Sequence, residues 1–118
     1  MNYNLKGTGL SVSGEMRAYV DKKLAPAEKF LSASSPVRLD IELEFVSGAA
    51  GPKYSAEYTL VLGKKTFRAQ AQGTALHEVV DIASDELVQE LARAKDKRQH
   101  LFRRGAARIK DYLRGFRE

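Results

Sequence analysis

The sequence predicts an α+β fold in the order β-α-β-β-β-α, with two helices packed on one face of a four-stranded mixed sheet and a basic helical extension at the C-terminus. The hydrophobic period is two residues across the middle of the chain and close to 3.6 residues on either side of it. The 118 residues contain no cysteine. This length fits one domain held together by a hydrophobic core without disulfides.

The first strand and the first helix are predicted in the first quarter of the chain. Alternating apolar residues indicate a short strand over residues 2–9. Ser11 or Ser13 can cap the following helix, because a serine hydroxyl accepts a free N–H of the first turn. The apolar face of this helix, at spacings of three and four residues, consists of Met16, Val20, Leu24, Ala27 and Leu31. Pro26 removes a backbone donor from this pattern, so we expect a kink near residues 22–25 or an early helix end.

Three antiparallel strands are predicted in the middle of the chain. Apolar residues alternate over Val37–Phe45, Tyr54–Leu62 and Phe67–Ala71. Small residues at 47–52 predict a loop, and Gly63-Lys64 predicts a tight turn. Because each strand has only one apolar face, both helices should cover the same face of the sheet.

The second helix is predicted to start at Gly73-Thr74 and to continue into a basic segment. Its apolar side is formed by Leu76, Val80, Ala83, Leu87 and Leu91. Beyond residue 94 a second apolar stripe consists of Phe102, Ala106, Ile109, Leu113 and Phe116. Gly105 weakens a continuous helix by about 1 kcal/mol relative to alanine, so the helix should extend or break here. We therefore expect an α+β domain over residues 1–98 and a basic amphipathic extension over 99–118.

The positive charge of the chain is concentrated at its C-terminal end. Residues 1–90 hold 10 Lys/Arg and 12 Asp/Glu, whereas residues 91–118 hold 10 Lys/Arg and 3 Asp/Glu, so the formal net charge of +5 belongs to the last quarter. Such a basic end is typical of proteins that bind nucleic acid, an acidic partner or an anionic membrane. No apolar run has the roughly 20 residues of a membrane span, and the N-terminus resembles no signal peptide, so we expect a cytoplasmic protein.

The sequence contains no recognisable catalytic or metal-binding constellation. The two histidines are 23 residues apart, and no nucleophile has an adjacent base. The carboxylates predicted on the exposed sheet face are explained by cross-strand ion pairs with neighbouring cations: Asp40, Glu42, Glu44 and Glu57 with Arg38, Lys53 and Arg68. We therefore predict no enzyme, no cofactor, no metal site and no small-molecule substrate.

The helices and the C-terminal extension carry the candidate RNA-binding residues. These cations are Lys22, Lys23, Lys29, Arg93, Lys95, Lys97, Arg98, Arg103, Arg104, Arg108 and Lys110. Lysine and arginine neutralise phosphates without reading base sequence, so folded RNA recognised by shape is the expected ligand. The exposed sheet face is an unsuitable RNA platform, because Tyr54, Tyr58 and Phe67 belong to the apolar set and cannot stack on bases there.

Over residues 2–98 the chain resembles the ribosome hibernation-promoting factor and ribosome-associated inhibitor A proteins, formerly called sigma-54 modulation proteins. The resemblance rests on the element order and on four segments: NYNLKGTGLSVS, MRAYVDKKLAPAEKF, AEYTL and LHEVVDIASDELVQELARAKDK. It implies binding rather than catalysis, with the small ribosomal subunit and its rRNA as partners and the decoding region as the place that is blocked. It also implies basic sites at Lys23, Lys29, Arg93, Lys95 and Lys97, and an acidic site at Asp81.

The chain departs from the family pattern at several helical positions. The departures are Pro26 and Ala27 in the first helix, Ala75 before the second, and Glu86, Gln89 and Glu90 within it. Replacing a phosphate-facing cation by glutamate weakens RNA binding, because attraction is lost and repulsion is added. The basic extension can compensate by moving the electrostatic contact towards the C-terminus.

Two alternatives to a ribosome-binding translation inhibitor remain open. The first is a module resembling double-stranded-RNA-binding domains that has no ribosome specificity. The second is a membrane-surface or protein-interaction module, because residues 101–117 combine an apolar stripe with cations, as interfacial helices do. The chain ends before the second domain of the long family members, so we expect a monomer when free and no ribosome dimerisation by this chain alone.

Overall fold

The computed structural model describes residues 2–31 and 37–117, with side chains described as far as residue 96. Its elements confirm the predicted order β-α-β-β-β-α. They are β1 (Asn4–Thr8), α1 (Gly14–Leu24), a 3-10 helix (Ala25–Phe30), β2 (Val37–Gly48), β3 (Gly51–Leu62), β4 (Lys65–Gly73) and α2 (Leu76–Arg117).

The four strands form one mixed sheet in the order β1-β2-β3-β4. β1 pairs with β2 in parallel, with Leu5 opposite Ile41, and the two other pairs are antiparallel. β1 and β4 therefore run in the same direction. The connection from β1 to α1 passes close to β2, where a Cβ at Gly9 would lie 2.4 Å from the Phe45 carbonyl oxygen, so only glycine fits.

A single hydrophobic core lies between the sheet and the two helices. Alternate residues of the strands meet the helical stripes predicted from the sequence, and α2 adds Val79 and Ser84 to its predicted side. The largest of the fully buried side chains are Val20, Leu24, Leu39, Ile41, Leu43, Tyr58, Leu60, Val79, Val80, Ser84, Leu87 and Leu91. Among the side chains described in α2, which reach residue 96, Leu91 is the last buried one, and the helix continues to Arg117.

Local chemistry explains where the elements begin and end. The Ser13 hydroxyl accepts a 3.1 Å hydrogen bond from the Met16 N–H and caps α1, as predicted. Pro26 cannot donate a backbone hydrogen bond, and α1 ends two residues before it in a turn of 3-10 helix. The predicted loop at 47–52 is shorter than expected, because β2 and β3 extend to Gly48 and Gly51. α2 starts at Leu76, slightly later than predicted, and runs without a break through Gly105.

One buried hydrogen bond joins the sheet to α2. The Ser84 hydroxyl donates to the Tyr58 hydroxyl at 2.9 Å, and both residues are fully buried. Burial raises the pKa of Tyr58 to about 12, so the phenol stays protonated at neutral pH. Among the described side chains, no buried polar atom lacks a hydrogen-bond partner.

We expect Ser84→Ala to lower the free energy of unfolding by about 1–3 kcal/mol, because it leaves the Tyr58 hydroxyl buried without a partner. Tyr58→Phe should cost less, since the Ser84 hydroxyl can turn to the helix carbonyl one turn earlier. Urea denaturation of the two variants and their double mutant measures the loss of unfolding free energy in each single variant and the coupling between the two hydroxyl groups. A Ser84→Ala loss no larger than that of Tyr58→Phe would contradict this assignment.

Candidate nucleic-acid interface

The helices lie side by side and run in the same direction. Tyr19 of α1 contacts Asp81 of α2, Lys23 contacts Asp85, and the Phe30 ring lies under the Lys95 ammonium group. The residue numbers of the contacting pairs increase together along both helices, as they must when two helices run in the same direction. The topology explains this orientation, because each helix returns across the sheet after one of the parallel strands β1 and β4.

Lys23 belongs to an ion-pair cluster between the helices. Its Nζ lies 2.9 Å from Asp85 Oδ1 and 3.7 Å from Asp81 Oδ1. The Tyr19 hydroxyl also donates to Asp81, and its ring packs against His77 with centroids 4.8 Å apart. The hydrogen bond to Asp85 raises the pKa of Lys23, and the hydrogen bond to Asp81 raises that of Tyr19. We call Tyr19, Lys23, Asp81 and Asp85 the seam cluster.

The seam cluster changes the role expected of Lys23. Its side chain is only 25% exposed and its charge is matched by two carboxylates. A phosphate approaching it would meet Asp81 and Asp85 as well. Lys23 is therefore placed to hold the helices together rather than to act as an open cation.

Two other predicted cations converge on one aromatic ring. The Nζ of Lys29 lies 5.2 Å and that of Lys95 5.7 Å from the centroid of Phe30, within the range of cation–π attraction. Both side chains are exposed and Phe30 is half-buried. The end of the 3-10 helix and the middle of α2 thus present two ammonium groups at one place.

Lys22 and Arg93 complete the predicted cations whose side chains are described. Lys22 is exposed on α1 and has no ion-pair partner within residues 2–31 and 37–96. Arg93 is exposed but pairs with Glu90 one turn earlier, at 2.6 Å. Lys22 is therefore the more available of the two for an external anion.

A groove of about 390 Å³ opens between the helices beside the seam cluster. We call it the helix groove, and it is lined by Lys22, Lys23, Pro26, Asp85, Val88 and Gln89. It lies between the seam cluster and the lysines at Phe30. Pro26 from the 3-10 helix and Gln89 from α2 both line it.

The remaining predicted RNA-binding residues lie beyond the described side chains. They are Lys97, Arg98, Arg103, Arg104, Arg108 and Lys110. The backbone places all of them on α2, which continues to Arg117. Their assignment to RNA stays a prediction.

The exposed sheet face differs from expectation in its ion pairing. The ion pair described there, between Arg38 and Asp40, runs along β2 at 3.0 Å rather than across strands. Asn4 donates to Asp40 from β1 at 2.9 Å, and this hydrogen bond, with Arg38, lowers the Asp40 pKa. Glu42 lies directly opposite Glu57 and accepts a hydrogen bond from Thr8.

Within the described residues, no group of three or more acidic, histidine or cysteine side chains is placed to hold a metal ion. No helix in the described part of the chain is both long and apolar enough to cross a membrane.

The sequence matches one family and several curated relatives. The family profile described as "Sigma 54 modulation protein / S30EA ribosomal protein" matches residues 3–99. The ribosome hibernation promotion factor of Bacillus subtilis is 21% identical over 87% of this chain and 53% of its own length. The ribosome hibernation promoting factor of Escherichia coli K12 is 25% identical over 85% of this chain and all of its own length. The factor of Pseudomonas putida is 27% identical over 92% of this chain and all of its own length. The chain thus spans about half of the longer relative and the whole of the shorter ones.

Two solved structures resemble the fold. The N-terminal domain of Thermus thermophilus Protein Y is 26% identical, with a TM-score of 0.65 over 79% of this chain and 98% of that domain. A ribosomal subunit interface protein from Coxiella burnetii is 20% identical, with a TM-score of 0.64 over 81% of this chain and 99% of its own, and at that identity it supports the fold alone.

Lys23→Met should lower the free energy of unfolding by about 0.5–1 kcal/mol at low salt, because it leaves Asp81 and Asp85 facing each other without a cation. The loss should shrink in 1 M salt, where the charges are screened. Lys22→Met, one residue away and outside the seam cluster, is the control and should stay within about 0.5 kcal/mol of wild type. Equal losses in urea denaturation would show that the seam cluster contributes no stability.

Proposed function

Because the chain belongs to the sigma 54 modulation protein / S30EA ribosomal protein family, we propose that it is a ribosome hibernation factor acting on the small ribosomal subunit. It binds rRNA near the decoding region, blocks the path of mRNA and tRNA, and preserves idle ribosomes under stress or in stationary phase. The observation that carries the proposal is the family match along residues 3–99. Relatives of similar length are named ribosome hibernation promoting factors.

The arrangement of cations supports contact with RNA through the helical side of the molecule. Lys22, Lys29 and Lys95 are exposed and free of carboxylate partners among the described side chains. Each can neutralise one phosphate and release counterions. Lys23 then acts as a positioning residue, since it fixes the spacing of the helices that carry the other cations.

The C-terminal extension supplies most of the net positive charge, since residues 99–118 hold 6 Lys/Arg and 2 Asp/Glu. α2 is continuous to Arg117, so the cations beyond residue 96 belong to the same helix as Lys95. In this proposal residues 1–98 form the ribosome-binding domain and 99–118 an added basic contact. The protein acts in the cytoplasm as a single chain and performs no catalysis.

A full-length variant with Arg103, Arg104, Arg108 and Lys110 changed to glutamine tests the extension. We expect its affinity for purified small subunits to fall at least tenfold near physiological salt. The slope of log affinity against log salt should become shallower by about 3, because four phosphate contacts are lost. Co-sedimentation over a salt series measures both quantities.

The matched control exchanges lysine and arginine at the same four positions and should bind as wild type. If the glutamine variant also binds as wild type, the extension takes no part in binding. If wild type fails to sediment with small subunits at low salt, the proposed function is wrong. Tighter binding to a bare RNA duplex than to subunits, at matched salt, would favour the duplex-binding alternative.

Glu86→Lys should strengthen binding to small subunits, because it introduces a cation on the exposed side of α2 where the family resemblance implies one. We expect a steeper salt slope, by about one unit, and an affinity gain of a few fold. Glu86→Gln removes repulsion without adding attraction and should give a smaller gain. Unchanged affinity for both variants in the same co-sedimentation assay would place this part of α2 away from the RNA.

A further inference from the structure

The helix groove differs in chemistry from the cationic surface around it. Of its two lysines, Lys23 pairs with Asp85 in the groove and with Asp81 beside it, whereas Lys22 is exposed and unpaired among the described side chains. We infer that the helix groove binds an unstacked nucleobase, preferably adenine, of single-stranded RNA, while the phosphates on either side are held outside it. This inference rests on the proposed function in that it takes RNA as the partner.

The carboxylates at the groove disfavour a phosphate inside it. Asp85 lines the groove, and Glu86 follows it on the exposed side of α2. A phosphodiester entering here would meet negative charge whose nearest cation, Lys23, is already paired at 2.9 Å. A nucleobase carries no net charge and avoids this repulsion.

The walls of the groove suit the flat faces of a base. Pro26 is exposed on the side of the 3-10 helix, and Val88 is half-buried on α2. Unstacked bases are commonly held between apolar or aromatic side chains, which cover the faces that stacking in the RNA would otherwise cover. The volume of about 390 Å³ admits a base together with part of its sugar.

Gln89 supplies a carboxamide that can form hydrogen bonds with the edge of the base. Its carboxamide is exposed at the groove and makes no hydrogen bond to any described residue. A glutamine amide both donates and accepts, and it pairs with the N6 and N7 atoms of adenine in a bidentate manner.

The free cations lie where the flanking phosphates would pass. Lys22 borders the groove on α1, and Lys29 and Lys95 meet at Phe30 beyond Pro26. A strand following the helices would therefore meet ammonium groups on both sides of the base. Base and phosphates are bound by separate sets of side chains, which can be tested separately.

The test uses the full chain and three RNA nonamers of one flanking sequence, with adenine, uracil or an abasic site at the centre. Fluorescence anisotropy at matched salt should show at least about fivefold tighter binding of the adenine RNA than of the abasic RNA. Gln89→Leu should abolish the preference for adenine over uracil. Gln70→Leu, on the exposed sheet face, is the matched control and should keep it. Lys95→Ala should lower the affinity for all three RNAs by the same factor, because it removes a phosphate contact and leaves the groove unchanged.

Equal affinity for the adenine and abasic RNAs, or binding to neither, would overturn the groove assignment. Co-sedimentation of the same preparation with small subunits reports on the proposed function independently. A protein that sediments with subunits but does not distinguish the nonamers retains the proposed function and loses the groove. If the protein distinguishes the nonamers but fails to sediment with subunits, the groove assignment stands and the proposed ribosomal function is wrong.

Discussion

The architecture depends on a sheet that buries only one of its faces. Strands of alternating pattern leave one side to water, so both helices must cover the other. β1 and β4 run in the same direction, and the helix that follows each strand returns across the same face. The helices are therefore parallel neighbours. The seam cluster, the helix groove and the lysines at Phe30 all follow from that arrangement.

The parallel helices also determine which charges are available to a partner. Asp81 and Asp85 face Lys23 across the seam and neutralise it, whereas Lys22, one residue earlier, remains open. Adjacent lysines on a helix point about 100° apart, so neighbours in sequence can have different roles. Surface ion pairs contribute little energy individually. Here the ion pairs decide which cations remain open, because they neutralise Lys23 and place carboxylates beside the helix groove.

Periodicity predicted the fold well because it reports which face of an element is buried. The element order, the core stripes, the Ser13 cap and the helix end before Pro26 are all confirmed. Periodicity does not report which residue lies opposite across the core, and one buried contact was missed for that reason. Ser84 falls on the apolar stripe of α2, but its bond to Tyr58 depends on the packing of α2 over β3.

The candidate site was predicted less completely than the fold, for the same physical reason. Lys23 and Asp85 are 62 residues apart in the sequence, so no local sequence pattern predicts their contact. A count of basic residues on the first helix therefore includes a cation that the fold neutralises. The convergence of Lys29 and Lys95 on the Phe30 ring was also missed, because Lys95 reaches that ring only through the packing of α2 beside the 3-10 helix.

The continuity of α2 determines how the basic extension can act. A flexible tail would search a large volume, and its gain in binding would fall with length. A helix that continues from Leu91 to Arg117 carries its charges along one axis, about 39 Å at ~1.5 Å per residue. In the proposed complex, binding at the helix groove then fixes the direction in which those charges lie. Residues 1–90 are slightly acidic and residues 91–118 strongly basic, so in that complex the folded domain supplies placement while the C-terminal end supplies most of the electrostatic attraction.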